Sequence, residues 1–394
     1  MEQLRTVTDI FLRFLALGCI SFGGPAAHIG YFQTTFVERL RWLNHDDYAK
    51  LVAVSQFLPG PGSSQVGFAI GLQRGGLAGG LAAFFGFTLP SFCLMLSLVY
   101  YLQTPTTNEW MAKVSQGLML LAVVVVADAL INMSKQFCQS IYTRSVAILS
   151  AIILLSFTVA YLQIVLLFAA GLSGFIWHQS FSTATPSVGK ALNNKKTTVA
   201  LSLFAFLFIG SLVIQWHPSH LDSPILHLAA SFYHSGSLVF GGGHVVLPLL
   251  QQSVASTLDT QQFLFGYAAA QGVPGPMFSL ATYLGALLLP LNPLLGASVA
   301  TLALFLPGLL LIYALHQQWA LLSANVSMAG AMAAINAAVV GLLFSAWINP
   351  VVSHAVEQLS DIILVAFLLV CYRVFKVPIL LLILLSVAYA LVWR

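Results

Sequence analysis

The sequence predicts an all-α polytopic membrane protein of two inverted-topology repeats, with about 13 apolar segments and broken helix pairs that are either re-entrant or spanning. Three observations carry this reading. Of 394 residues, 59% are hydrophobic and 7% charged, whereas a soluble domain carries about 25% charged residues. With a mean hydropathy of +0.92, no polar surface is left for a soluble fold. The apolar runs are long and continuous rather than alternating, which excludes a transmembrane barrel. Finally, the break Gln56-Phe57-Leu58-Pro59-Gly60-Pro61 returns as Gln271-Gly272-Val273-Pro274-Gly275-Pro276, 215 residues later.

The first element covers about Asp9 to Phe22 and is read as retained, because Arg13 interrupts any signal-like run. It stops at Gly23-Gly24-Pro25. A second helix, Ala26 to Arg41, ends in charge. The third opens at His45-Asp46-Asp47, where acidic residues suit a helix start. It runs into Pro59-Gly60-Pro61. Ser63 to Leu72 resumes and ends at Arg74-Gly75-Gly76. Gly76 to Tyr101 is a full span, as is Met111 to Asn132. Val146 to Tyr161 and Gln163 to Trp177 form a tight pair. A polar linker, His178 to Thr197, carries Lys190, Lys195 and Lys196, and Thr198 to Trp216 is a further span.

The series then restarts. Leu226 to Phe240 ends at Gly241-Gly242-Gly243, and His244 to Ser256 follows. Gln261 to Gln271 leads into the second Pro-Gly-Pro, and Phe278 to Leu289 resumes. Leu294 to Leu315, Ala324 to Ile348, Asp361 to Tyr372 and Pro378 to Trp393 complete the copy. The glycine break precedes the Pro-Gly-Pro break by 36 residues in one half (Gly23 to Pro59) and 33 in the other (Gly241 to Pro274). The expected domains are residues 8–178, a basic cytoplasmic linker with one connecting helix at 179–221 (helix 198–216), and 222–394. That added crossing inverts the second repeat. Arg39, Arg41, Lys50 and Arg74 flank the broken helices of the first repeat, and the second has no Lys or Arg there. Its basic bias moves to Arg373 and Lys376. By the positive-inside rule these ends face the cytoplasm.

Proline removes an amide donor and clashes with the preceding turn, while glycine frees the backbone, so each Pro-Gly-Pro splits a helix. Helix-breaking roles fall to Pro25, Pro59, Pro61, Pro274 and Pro276. A half-helix that starts inside a membrane points unpaired amides and a positive partial charge at the break, an anion site without a charged side chain. Four such starts exist. They nominate Gly23, Gly24, Gly60, Gly62, Gly242, Gly243 and Gly275 as backbone contacts, with Ser63, Ser64, Gln65 and Ser279 as polar lining. Gln56 and Gln271 stand just before the breaks, and His28 and His244 just after the glycine turns. Arg74 could clamp an oxyanion or anchor the chain at the interface. Asp128 is a candidate for ion coupling or a partner of Lys135, and Asn336 occupies the matching span of the second half. The four cysteines have no metal-type spacing. No metal site, cofactor or enzyme motif is present.

Together, these residues resemble the chromate ion transporter (CHR) family in its long two-domain form. The resemblance lies in Phe22-Gly23-Gly24-Pro25-x-x-His28-Ile29-Gly30-Tyr31-Phe32, Arg39-x-Arg41-Trp42, both Pro-Gly-Pro motifs, Gly86-Phe87-Thr88-Leu89-Pro90-Ser91 and Phe240-Gly241-Gly242-Gly243-His244. Gly272, Met277 and Ser279 depart from the commoner residues of the family. The resemblance implies an exporter of chromate, or of sulfate or a related tetrahedral oxyanion, in the bacterial inner membrane. The expected mechanism is alternating access, with the anion at the paired breaks. The expected partners are a small inorganic oxyanion and the lipid bilayer, without nucleic acid. A homodimer is compatible with this reading. The alternatives are an anion channel on the same scaffold and a non-transporting membrane sensor or scaffold.

Overall fold

The computed structural model describes residues 2–102, 109–157, 162–177, 195–216, 223–255, 257–316 and 326–393. Most of the polar linker, with Lys190, lies outside them. Every element among the described residues is helical. In chain order the first half has α1 (Glu2–Ile20), α2 (Gly24–Phe32), α3 (His45–Phe57), α4 (Gly62–Leu102), α5 (Glu109–Phe137), α6 (Ile141–Ser156) and α7 (Leu162–Ile176). A wider, π-type turn, Gln33–Arg39, prolongs α2. Next come α8 (Lys195–Trp216), α9 (Pro224–Ser237), α10 (Val246–Val254), α11 (Thr260–Gly272), α12 (Leu280–Leu288) and α13 (Pro293–Leu315). The chain closes with α14 (Val326–Ala346), α15 (Leu359–Arg373) and α16 (Ile379–Trp393).

Among the described residues five stretches are long and apolar enough to cross a membrane: Gly62–Leu102, Ala112–Phe137, Lys195–Trp216, Pro293–Leu315 and Val326–Ala355. Four shorter helices are also apolar. The protein, helical in every element of its described residues, is a multi-pass membrane protein.

The longest stretch is two helices. At Gly75 (φ −137°, ψ 21°) and Gly76 (φ 63°, ψ −158°) the backbone of α4 leaves the helical region, where the sequence places a break. The chain doubles back there. A Cβ on Gly71 would stand 2.8 Å from Ala83 Cβ, although those residues would lie about 18 Å apart along a straight helix. The first arm, 62–74, is therefore about 20 Å long, short for a ~30 Å hydrocarbon core. Gly285 packs likewise on Gly296 and Ala300, so α12 and α13 form the same hairpin.

Two compact units emerge. One groups residues 1–107, 192–259 and 269–317; the other groups 108–191, 260–268 and 318–394. Each unit therefore draws on both halves of the chain. In the first, α1 packs along α4 and α9 packs along α13. Gly18 lets α1 approach the Phe87 carbonyl of α4, and Gly236 lets α9 approach the Leu304 carbonyl of α13. In the second unit the halves exchange partners. Helix α5 packs on α15 and α16, and α14 packs on α6 and α7. Gly117 sets α5 against α16, and Gly341 sets α14 against α6. The Trp347 indole N–H donates to Val123 O at 3.0 Å, and Gln116 Nε2 donates to Ala355 O at 2.7 Å.

Small residues permit this packing because water-driven hydrophobic association is absent between helices in lipid. A Cβ on Gly117 would stand 2.7 Å from Ser386 O and 2.8 Å from Val387 Cα, both backbone atoms, whereas one on Gly210 meets nothing within 4 Å. We expect Gly117→Ala to lower the thermal unfolding temperature of the detergent-purified protein, at an overpacking cost of about 1–3 kcal/mol. Gly210→Ala should not lower it, since alanine fits there and is the better helix former.

Candidate functional site

The first unit brings the four helix breaks together. At the first Pro-Gly-Pro, the Gly60 N–H donates to Val239 O at 2.7 Å; at the second, the Gly275 N–H donates to Ser21 O at 2.9 Å. Gly60 and Gly275 hold the same place in their motifs. Val239 and Ser21 each stand two residues before a glycine pair, Gly241-Gly242 and Gly23-Gly24. Each Pro-Gly-Pro is thus tied to the glycine turn of the other half.

The same exchange governs packing. A Cβ on Gly60 would lie 2.7 Å from Gly308 Cα, next to Pro307; one on Gly275 would lie 3.2 Å from Ser91 Cβ, next to Pro90. Both glycines have positive φ, 122° and 102°, a region that L side chains rarely adopt. Conformation and space therefore both demand glycine at position 60, whereas at position 275 the positive φ demands it and a Cβ would press on the Ser91 side chain. The glycine turns themselves meet, since Gly243 faces Pro25 and Met277.

Several predicted side chains serve as braces. His28, fully buried, directs Nε2 at Ser21 O (3.2 Å) and Nδ1 at Ser63 Oγ (3.3 Å). A carbonyl only accepts, so Nε2 carries the proton and the Ser63 hydroxyl donates to Nδ1. Gln65 Nε2 donates to Pro59 O at 2.9 Å and to Gly308 O at 3.1 Å, so its amide donors are spent on holding the first break. Gln271 Nε2 donates across the second break to Met277 Sδ at 2.6 Å. His244 sits half-buried in a 3₁₀ turn, Gly243–Val245, that leads into α10. The half-helices of the second copy both start with such a turn, Met277–Ser279 being the other.

What the braces leave over is a set of buried polar atoms without hydrogen-bond partners. In this unit they include Ser64 Oγ, Ser279 Oγ, Gln65 Oε1, Ser21 Oγ and Thr88 Oγ1. Ser64 and Ser279 are equivalent, each three residues after the second proline of its motif. An unmet buried polar group costs about 1–3 kcal/mol, so each of these atoms keeps a hydrogen-bonding capacity that the protein itself does not fill. The amides of Gly62, Ser63 and Ser64 lie in the first turn of α4, positions without an acceptor inside the helix.

Ser21 and Thr88 are absent from the sequence-derived set. Their signals are modest: Ser21 stands two residues before the glycine turn, and Thr88 precedes Leu89-Pro90.

Other predicted residues fall elsewhere. Gln56 is exposed on α3. Arg74 is exposed and stacks on Trp42, its Cζ 5.3 Å from the ring centroid, with Arg13 Cζ at 5.8 Å. It stands about 18 Å along the helix from Gly62, so its place is an aromatic anchor and not the break. Asp128 and Asn336 belong to the second unit. Asp128 pairs at 2.7 Å with Arg373 rather than with Lys135, and accepts from Asn132 Nδ2 at 2.9 Å. Asn336 Oδ1 is buried without a partner. Among the described residues no group of three or more His, Cys, Asp or Glu side chains could hold a metal ion.

The family profile described as "Chromate transporter" matches residues 8–175 and again 226–391. The chain belongs to the chromate transporter family. A chromate transport protein of Pseudomonas aeruginosa is 25% identical over 351 residues, covering 85% of this chain and 79% of that protein. One from Cupriavidus metallidurans is 28% identical over 309 residues, 77% of this chain and 72% of that protein. An uncharacterised transporter of Methanocaldococcus jannaschii is 25% identical over 307 residues, 77% of this chain and 74% of that protein. No solved structure matches the chain. Relatives in the chromate transporter family are thus named as transporters rather than enzymes.

Two substitutions separate braces from anchors. Gly275→Ala should destabilise the second break, and Ser91→Gly in the same protein should restore part of the loss by clearing the contact at Ser91, with the cost of positive φ remaining. Thermal unfolding of the single and double variants measures both. Arg74→Lys should change the transport rate by no more than about fivefold, because an exposed cation–π contact is worth ~0.5–1 kcal/mol. A larger loss in liposome transport assays would return Arg74 to the anion site.

Proposed function

We propose that the protein is a secondary transporter that exports chromate, or a related tetrahedral oxyanion such as sulfate, across the bacterial inner membrane. Its repeats, residues 8–178 and 222–394, stand in inverted topology. The segment 179–221 joins them and carries α8. The anion is held at the paired Pro-Gly-Pro breaks by first-turn amides and by the hydroxyls of Ser64 and Ser279. The two repeats then exchange conformations in an alternating-access cycle.

The reciprocal joint of the first unit carries this reading. Gly60 and Gly275 each bond to the opposite half, and equivalent serine hydroxyls stay buried and unpartnered beside them. A tetrahedral oxyanion presents only acceptors when fully deprotonated, so it needs donors. Hydroxyls and first-turn amides are donors, and the helix starts add a positive partial charge without a cationic side chain. Carriers with inverted repeats commonly bind anions at such half-helix starts.

The Arg373–Asp128 ion pair supports the inversion. It joins the last residue of α15 to the C-terminal part of α5. Under the inverted topology both ends face the cytoplasm, where the positive-inside rule also puts Arg373 and Lys376.

Counterflow of labelled chromate in liposomes tests the function directly. The wild-type protein should accumulate label against an unlabelled internal pool, and accumulation of neither chromate nor sulfate would sink the proposal. Ser64→Ala and Ser279→Ala should each weaken apparent affinity by about tenfold, the loss of one hydrogen bond to a charged group, without changing the amount of folded protein. Wild-type affinity in both variants would move the anion away from the breaks.

A further inference from the structure

The second unit contains an apolar groove with a basic mouth that no part of the proposed transport cycle uses. Its volume is about 760 Å³, within the ~300–1,000 Å³ of ligand pockets. Helices α5, α6 and α14 form its walls. Its apolar lining includes Leu130, Ile148, Ile152, Leu155 and Phe344. Lys135 and Arg144 stand at one end, where α5 finishes and α6 begins. From Arg144 to Leu155 the groove follows about 16 Å of α6, which is half of a ~30 Å hydrocarbon core, or one leaflet.

We propose that this groove binds one anionic phospholipid, with its acyl chains along α6 and its headgroup phosphate on Lys135 and Arg144. The length matches a single leaflet, and the charge lies only at the headgroup end. Among the described residues neither cation makes an ion pair with an acidic side chain. Arg144 Nε instead donates to Cys138 O at 3.0 Å, which orients the guanidinium and leaves its terminal nitrogens to other acceptors. Arg144 also lies in the first turns of α6, the positive end of a helix, where a cation is disfavoured. A phosphate at the mouth reverses that penalty. Lys135 in the last turn of α5 is placed favourably by the same rule.

The simpler role for two basic residues at helix ends is topology anchoring. Anchoring needs charge but no groove, so filling the groove separates the two. The full-length protein is incorporated into nanodiscs of phosphatidylcholine containing a minor fraction of phosphatidylglycerol, and retained lipid is counted by native mass spectrometry. The wild type should retain one phosphatidylglycerol in preference to phosphatidylcholine. Lys135→Gln with Arg144→Gln should lower that preference by at least about tenfold, since each cation near anionic lipid contributes substantially. Ile152→Trp, which fills the groove and keeps both charges, should remove the retained lipid. Lys376→Gln, on another loop, should change nothing. Unaltered retention in the double variant or in Ile152→Trp overturns the proposal, as does displacement of the lipid by inorganic phosphate alone.

Discussion

Two backbone hydrogen bonds, from Gly60 to Val239 and from Gly275 to Ser21, hold the first unit together at its breaks. Proline-interrupted helices inside a membrane strand amides and carbonyls that have no water to meet. Each Pro-Gly-Pro meets this demand by donating to the carbonyl just before the glycine turn of the other half. Neither half can satisfy its own break in this way. The demand for backbone partners therefore makes the two copies interdependent.

Close approach follows from that dependence. For the bonds to form, Gly60 must lie against Gly308, and Gly275 against Ser91. His28, Ser63, Gln65 and Gln271 then spend donors on carbonyls, on one another or on Met277. The result divides the polar residues by task. Those that fix the breaks have their donors committed, while Ser64 and Ser279 keep theirs. Fixed breaks beside free donors are what the proposed anion site relies on.

The second unit exchanges partners by packing instead of by backbone bonds. The long helix of one half lies on the closing hairpin of the other, with Gly117, Gly174 and Gly341 at the contacts. Its ion pair, Arg373 with Asp128, is partly buried, and it gives Asp128 a structural task that competes with a role in coupling. Lys135 and Arg144 stand at the opening of the apolar groove, whose lining does not include that pair.

Much of this was legible in the chain itself. Proline and glycine act on their own backbone, so the breaks at Gly23-Gly24, Pro59-Gly60-Pro61, Gly75-Gly76 and Pro274-Gly275-Pro276 could be read without a fold. Hydrophobicity announced the membrane, and the recurrence of landmarks announced two copies. The tertiary structure alone decided which break meets which. A bond from an amide to a carbonyl some 180 to 250 residues away leaves no mark on side-chain identity. It also decided which polar side chains are braces, because the partners of Gln65 and His28 are carbonyls, which every residue has. Arg74 illustrates the limit: its charge and position fitted an anion, but the aromatic ring that receives it is set by how α1, α2 and α4 fold together.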